Sequence, residues 1–285
     1  MKKVRKAVIP VAGMGTRFLP VTKAVPKEML PIVDKPTLQY IIEEVVASGI
    51  EEILLITSPY KKCIEDHFDR AYELENRLLK SGKIEQAEMV EGISKIANIY
   101  YVRQGEPMGS AHAISLARAF VGDEPFAVLY GDDLIKGDTP ALKELIEVYE
   151  QTNGGNVIGV QEVPHELTYK YGIIEFEDEE TGKIKTIVEK PKVEEAPSNV
   201  AGLGRYIVNS TIFDVIENLH IGVGNEYQFT DAMKILMEQE PFYACKFSGT
   251  YYDIGSKFGY MKANIDYALE HEELKDDLGE YLKTL

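Results

Sequence analysis

A glycine-rich turn followed by two cations carries the most chemistry in this 285-residue chain. It reads Val11-Ala12-Gly13-Met14-Gly15-Thr16-Arg17-Phe18-Leu19-Pro20, with Pro26-Lys27-Glu28-Met29-Leu30-Pro31 shortly after. A Gly-x-Gly turn lets backbone N–H groups approach a phosphate, because no Cβ stands in the way. Arg17 and Lys27 add positive charge beside the same turn, so the segment suits a polyphosphate. Two common phosphate loops fail on spacing. The dinucleotide fingerprint G-x-G-x-x-G needs a third small residue where Phe18 stands, and the P-loop needs four residues between its glycines followed by Gly-Lys-Ser/Thr.

The carboxylates come next. Asp132 and Asp133 follow the apolar run Phe126 to Tyr130 and the turn residue Gly131. An acidic pair in a loop is ordinarily solvated surface, but a position at the carboxyl end of a buried strand favours a ligand role. A hard cation such as Mg²⁺ takes carboxylate oxygens, typically one or two from protein with the rest from substrate phosphates. Asp253, in Tyr251-Tyr252-Asp253-Ile254-Gly255, is a second candidate in a similar strand-to-turn context. Gln104 begins the block Gln104-Gly105-Glu106-Pro107-Met108-Gly109-Ser110-Ala111-His112-Ala113, and its amide can donate to and accept from the edge of uracil or of adenine. Gly109 and Ser110, at an expected helix start, favour close approach of a ligand to free N–H groups. His112 reads as structural, since transfer from an already ionised phosphate needs no base. Glu189 and Lys190 end another strand, where a carboxylate could accept from two vicinal sugar hydroxyls and a lysine could neutralise a phosphate; a surface ion pair fits the spacing equally. In Glu226 to Ala232, Thr230 reads as a helix N-cap.

These residues need a scaffold that brings loops together. Apolar runs at 7–11, 53–56, 99–102 and 126–130 alternate with helical stretches at 37–48, 61 to about 80, and 111–121. That alternation predicts an α/β fold, Rossmann-like, with a mixed, mostly parallel central sheet flanked by helices. Its ligands belong at the carboxyl ends of the strands, where three of the polar loops fall. Beyond about 153 the pattern becomes strands and loops at 156–163, 172–176, 184–188 and 203–208, with helices at 232–237 and 256 to about 282. No flexible linker divides the chain. It is expected to be a single domain over 1–285, with a nucleotide-binding half to about 150, a sugar-binding half over about 151–255 and a helical segment over about 256–285.

Composition limits the partners. A formal net charge of −16 disfavours nucleic acid and anionic membranes, and it makes local cations more informative. Only two cysteines occur, in neither a metal-ligand nor a disulfide pattern, which predicts a reducing cytoplasmic setting. The basic N-terminus faintly resembles a signal peptide, but its apolar stretch ends at Gly13 and Arg17, so a strand is expected. Tyr260, Met261, Ile265, Tyr267 and Leu269 could form a face that packs on the domain or joins subunits; a homodimer or homotetramer is expected.

The segments A-G-M-G-T-R, P-K-E-M-L-P-I-V-D-K-P, Q-G-x-P-x-G-x-A-H-A, G-D-D, V-E-K-P, T-D-A and Y-D-I-G together resemble the bacterial UTP–glucose-1-phosphate uridylyltransferases, of the sugar nucleotidyltransferase family. The resemblance runs over essentially the whole chain. The charged stretch Ile64 to Leu79 is similar to the uridylyl branch rather than to thymidylyl relatives. The resemblance implies transfer of a uridylyl group from UTP to glucose 1-phosphate with Mg²⁺. It implies Ala12, Gly13, Gly15, Gln104 and Gly109 at the nucleotide, and Arg17 and Lys27 on the triphosphate. Gly172, Glu189 and Asp231 would meet the sugar, Lys190 its phosphate, and Asp132 and Asp253 the metal. Glu226-Tyr227-Gln228-Phe229 departs from the commoner E-I-Q-L, which touches the wall of the sugar pocket. A thymidylyl- or adenylyltransferase, or a catalytically silent sugar-nucleotide sensor, remain the alternatives.

Overall fold

Apolar runs only four to six residues long can bury both faces when helices cover the sheet on each side, and Ala7, Val8, Ile9, Ile53, Leu55, Phe126 and Val128 are all fully buried. The computed structural model describes residues 1–222 and 225–285. In chain order the strands are β1 (Lys6–Pro10), β2 (Pro31–Ile32), β3 (Lys35–Pro36), β4 (Glu52–Thr57), β5 (Asn98–Arg103), β6 (Phe126–Leu129) and β7 (Asp133–Lys136). There follow β8 (Asn156–Glu162), β9 (Gly172–Asp178), β10 (Lys183–Glu189), β11 (Val200–Val208), β12 (Phe242–Lys246) and β13 (Thr250–Asp253). Nine of them form one sheet in the order β5-β4-β1-β6-β11-β8-β12-β10-β9. β10 and β11 run against the other seven. Strands from both halves of the chain thus share one sheet, with an apolar cluster on each face.

Helical expectations needed division. The stretch from 61 to 80 is two helices, Lys62–Phe68 and Tyr72–Lys80, because Asp69 adopts an extended backbone between them. A further helix, Ile84–Ile93, follows it unanticipated. The stretch 111–121 breaks into Ser110–Ser115 and Arg118–Val121, and 256–282 into Lys257–Ala268 and Lys275–Leu282. Residues Ala141–Gln151 form a further helix, outside the helical stretches predicted above. Tyr260 and Tyr267 turn inward: Tyr260 donates to the Pro31 carbonyl at 2.7 Å, and Tyr267 packs edge-on against Tyr40. Phe258 and Met261 remain exposed.

The strand order decides where the loops meet. The segments after β5, β1 and β6 leave the same edge of the sheet, with β4 between β5 and β1. Gln104 and Asp132 are therefore three strand spacings apart, about 14 Å, with the glycine turn between them.

Candidate active site

The turn after β1 is held from within. Gly15 has φ +64°, a conformation open to glycine, and its carbonyl accepts from the Thr22 hydroxyl at 2.8 Å. A methyl group there would lie 3.1 Å from Lys27 Cβ and 3.2 Å from Thr22 Cγ2. Gly13 is different: a methyl group there would meet nothing closer than 3.9 Å, so the protein itself does not demand glycine. Arg17 is exposed and, among the described residues, donates only to the Gly255 carbonyl, at 3.3 Å. Lys27 lies in a single 3₁₀ turn, Lys27–Met29, and its ammonium pairs with Asp132 Oδ2 at 2.5 Å. Burial opposes the charge on each, but their mutual attraction prevails: Lys27 is held above its ordinary value and Asp132 below.

The two neighbouring aspartates face different partners. Asp133 begins β7, accepts from the Tyr251 hydroxyl at 2.6 Å and sits beneath Gly204, whose positive φ and missing side chain admit it. Its backbone carbonyl accepts from Arg205, a fully buried guanidinium that also grips Glu44. Burial first, then the charge of Asp132, pushes the Asp133 carboxyl up to about 7. Asp253 ends β13, which pairs antiparallel with β7 so that Asp253 stands opposite Asp133. The N–H of Ile254 donates to the Asp132 carbonyl at 3.1 Å, which locks this register beside the turn. A methyl group at Gly255 would lie 2.7 Å from Asp132 Oδ2, 3.2 Å from Asp253 Oδ1 and 3.3 Å from Arg17 Nη1. Two carboxylate oxygens thus converge on a space kept clear by a glycine. Among the described residues no cluster of three or more His, Cys, Asp or Glu side chains could hold a metal. The donor set suits a hard divalent cation whose remaining positions come from phosphate and water.

On the far side of the cleft, Glu189 ends β10 directly opposite Gly172 on β9. Glycine there leaves the carboxylate uncovered; a methyl group would lie 3.4 Å from Glu189 Oε2. The side chain is only 11% exposed, so it is no surface pair. Oε2 accepts from the Thr230 hydroxyl at 2.8 Å, and Oε1 pairs with Lys190 at 2.9 Å. A carboxylate has about four acceptor positions, so about two remain for a ligand. Lys190 has φ +45°, a sparsely populated conformation for a side chain of its size, held by its N–H bond to the Tyr171 carbonyl at 3.0 Å.

A cleft of about 590 Å³ gathers Arg17, Asp132, Asp253, Gly172, Glu189 and Lys190. Lys27 reaches it through Asp132. Ala12, Gly13, Gly15 and Gln104 lie outside it, along the rim toward β5. Gln104 is buried, and its amide nitrogen donates to His112 Nδ1 at 2.9 Å and to the Gly109 carbonyl at 3.4 Å, so His112 orients the amide.

Three expectations change. Gly109 is required by the chain itself, because a side chain there would run into the backbone of Tyr227. The helix start after it is also less free than expected, since the Ala111 N–H already donates to the Tyr227 carbonyl. Thr230 is not a helix cap: the helix Phe229–Leu236 has Gln228 as its cap residue, and Thr230 serves Glu189 instead. Asp231, next in sequence, does not line the cleft and faces Gly222. Residues the sequence reading missed also line the cleft, notably Lys170, whose charge acts on Asp253, and Tyr251. A Lys-Tyr-Gly run ending at Gly172 was the available signal for Lys170.

Residues 6–270 match the family model for nucleotidyl transferases. The chain is 52% identical over 287 aligned residues to a UTP–glucose-1-phosphate uridylyltransferase from Staphylococcus haemolyticus, covering all of this chain and 99% of the relative. It is similar to a UDP-glucose pyrophosphorylase solved with UDP-glucose, at 40% identity and a TM-score of 0.85, covering 94% of this chain and 100% of the other. A UTP-bound UGPase from Acinetobacter baumannii is 37% identical with a TM-score of 0.88, and 99% of each chain is covered. Among the described residues no helix is long and apolar enough to cross a membrane.

Proposed function

The chain belongs to the nucleotidyl transferase family, and from that premise we propose that it transfers the uridylyl group of UTP to glucose 1-phosphate, giving UDP-glucose and pyrophosphate. The observation that carries this reading is full-length likeness, 52% identical, to a uridylyltransferase of that activity. The geometry supports it, because the strand order lines up a base-reading amide, a phosphate turn, a pair of carboxylates and a sugar-side carboxylate along one rim.

In this reading the glucose 1-phosphate oxygen attacks the α-phosphorus in line with departing pyrophosphate. Both substrates are polyanions in a chain of net charge −16, so the protein's task is positioning and charge neutralisation. Asp132 and Asp253 would hold Mg²⁺, which neutralises phosphate charge when bound. Arg17 and Lys27 hold the triphosphate, and Lys190 leaves Glu189 to meet the sugar phosphate. Glu189 accepts from glucose hydroxyls above Gly172. Gln104, oriented by His112, reads uracil. The two halves act as one catalytic unit over 1–285. Two cysteines outside any disulfide support a cytoplasmic setting, and the exposed Phe258 and Met261 support a homodimer or homotetramer.

Pyrophosphate release should be measured with glucose 1-phosphate and each of UTP, dTTP, CTP and ATP. UTP should be preferred over CTP and ATP by at least about tenfold, because the Gln104 oxygen, free among the described residues, can accept from the N3–H of uracil, which cytosine and adenine lack. Thymine has the same N3–H, so dTTP is set apart only by its 5-methyl group and missing 2′-hydroxyl. Equal or faster release with dTTP or ATP would replace the uridylyl reading with its thymidylyl or adenylyl alternative.

A further inference from the structure

Directly beneath the phosphate turn lies a buried ion pair that the reaction does not use. Glu28 is 1% exposed and Lys61 5% exposed, and the Lys61 ammonium donates to both carboxylate oxygens, at 2.9 and 2.7 Å. Burial pushes the Glu28 carboxyl up and the Lys61 ammonium down, so each charge is held against its desolvation. Pairs of this kind can often be replaced by apolar residues without loss of stability, so stability alone does not account for one here.

Its place in the fold does. Glu28 shares a single 3₁₀ turn with Lys27. A methyl group at Gly131 would lie 3.2 Å from Glu28 Cγ and 2.9 Å from Val11 Cγ1, so the Glu28 stem runs against the residue that precedes Asp132. Lys61 immediately precedes the helix Lys62–Phe68 that follows β4, and its N–H donates to the Ser58 carbonyl at 3.1 Å. The pair therefore ties together three segments, those after β1, β4 and β6. Charges alternate along the chain of contacts: Lys61, Glu28, Lys27, Asp132.

We propose that the Glu28–Lys61 pair is a positioning strut that fixes Lys27 relative to Asp132, so that the ammonium meets the transferring phosphates at the right place. This deepens the proposed function and rests on it for the role of Lys27. A displacement of about 1 Å in such a group can cost up to about 100-fold.

The test is calorimetric affinity for inorganic pyrophosphate with Mg²⁺ in Glu28→Met/Lys61→Met, beside turnover with UTP and glucose 1-phosphate. The double variant should unfold within about 5 °C of the unaltered chain, as apolar replacement of a buried pair allows. Its pyrophosphate affinity should nonetheless fall about tenfold, with the KM for glucose 1-phosphate unchanged. In a Lys27→Ala background the same two changes should cost nothing further, because the strut acts through Lys27. Unaltered pyrophosphate affinity, or an equal loss in the Lys27→Ala background, would overturn the strut. Should the double variant fail to fold, Glu28→Asp keeps the charge but shortens the stem; it should show a similar loss, and full affinity there would also overturn the proposal. Failure of the uridylyl reading is separate: the unaltered chain would then bind pyrophosphate but turn over neither substrate.

Discussion

On the nucleotide side of the cleft Gly13 stands open and Arg17 reaches a single carbonyl, whereas on the sugar side Glu189 is already gripped by Thr230 and Lys190. The first side is ordered mainly by backbone, through the left-handed Gly15 and its bond to Thr22. The second is ordered by side chains wedged between β9, β10 and the helix Phe229–Leu236. The contrast follows from the ligands. A triphosphate brings so much charge that open N–H groups and mobile cations suffice, while a neutral sugar ring must be read by acceptors placed beforehand. Lys27 and Asp132 are the exception on the nucleotide side, since their charges neutralise one another.

Breaking the metal carboxylate should do the most damage. Asp132→Asn keeps the shape but removes both the charge a hard cation needs and the partner of Lys27, so it should cost about 10³-fold or more in turnover with a modest fall in melting temperature. Turnover within about threefold of the unaltered chain at saturating Mg²⁺ would show that the metal is held elsewhere.

Lys27→Ala comes next. Losing one charge-assisted contact to the moving phosphates should cost about 3 kcal/mol, or about 10²–10³ in kcat/KM. Steady-state kinetics that change less than about threefold would remove Lys27 from the phosphate side and leave Arg17 as its sole cation there.

The smallest effect sharpens the difference between adjacent aspartates. Asp133 has a folded-state pKa raised to about 7, so the stabilisation it gives is full below its ordinary value near 4 and is lost as pH rises through about 7. Asp133→Asn keeps an acceptor for Tyr251 and removes that loss. At pH 8 in a chelator it should unfold at higher temperature, a gain of about 1 kcal/mol, with a flatter profile between pH 4 and 8 and only a mild fall in activity. A lower melting temperature at pH 8 would mean that the charge is needed to hold Tyr251 or Arg205.

How much of this was legible in sequence depended on how local each constraint was. The Gly13 to Lys27 turn could be read because phosphate chemistry packs its requirements into one contiguous segment, and Asp132 because it ends a plainly apolar run. The meeting of Asp132 with Asp253 was expected only from the family resemblance, because it depends on the register of β7 and β13, four residues each, and β7 is too short and polar to announce itself. Arg205 sits inside the β11 run and reads as one polar residue in a strand; its burial is meaningful only with Glu44, from a helix far away in sequence. Thr230 was misjudged for a related reason, since its hydroxyl serves a carboxylate 41 positions earlier rather than its own helix. The breaks at Asp69 and after Ser115 were hidden because helical periodicity continues across them.

The division of labour between the two sides is tested most directly by Glu189→Gln, with both Michaelis constants measured beside those of the unaltered chain. Hydrogen bonds to a charged acceptor are worth about 1.5–3 kcal/mol each, so kcat/KM for glucose 1-phosphate should fall at least about tenfold. The KM for UTP should stay within about twofold, because the nucleotide is held on the other side of the cleft. A raised KM for UTP with glucose 1-phosphate unaffected would contradict the account.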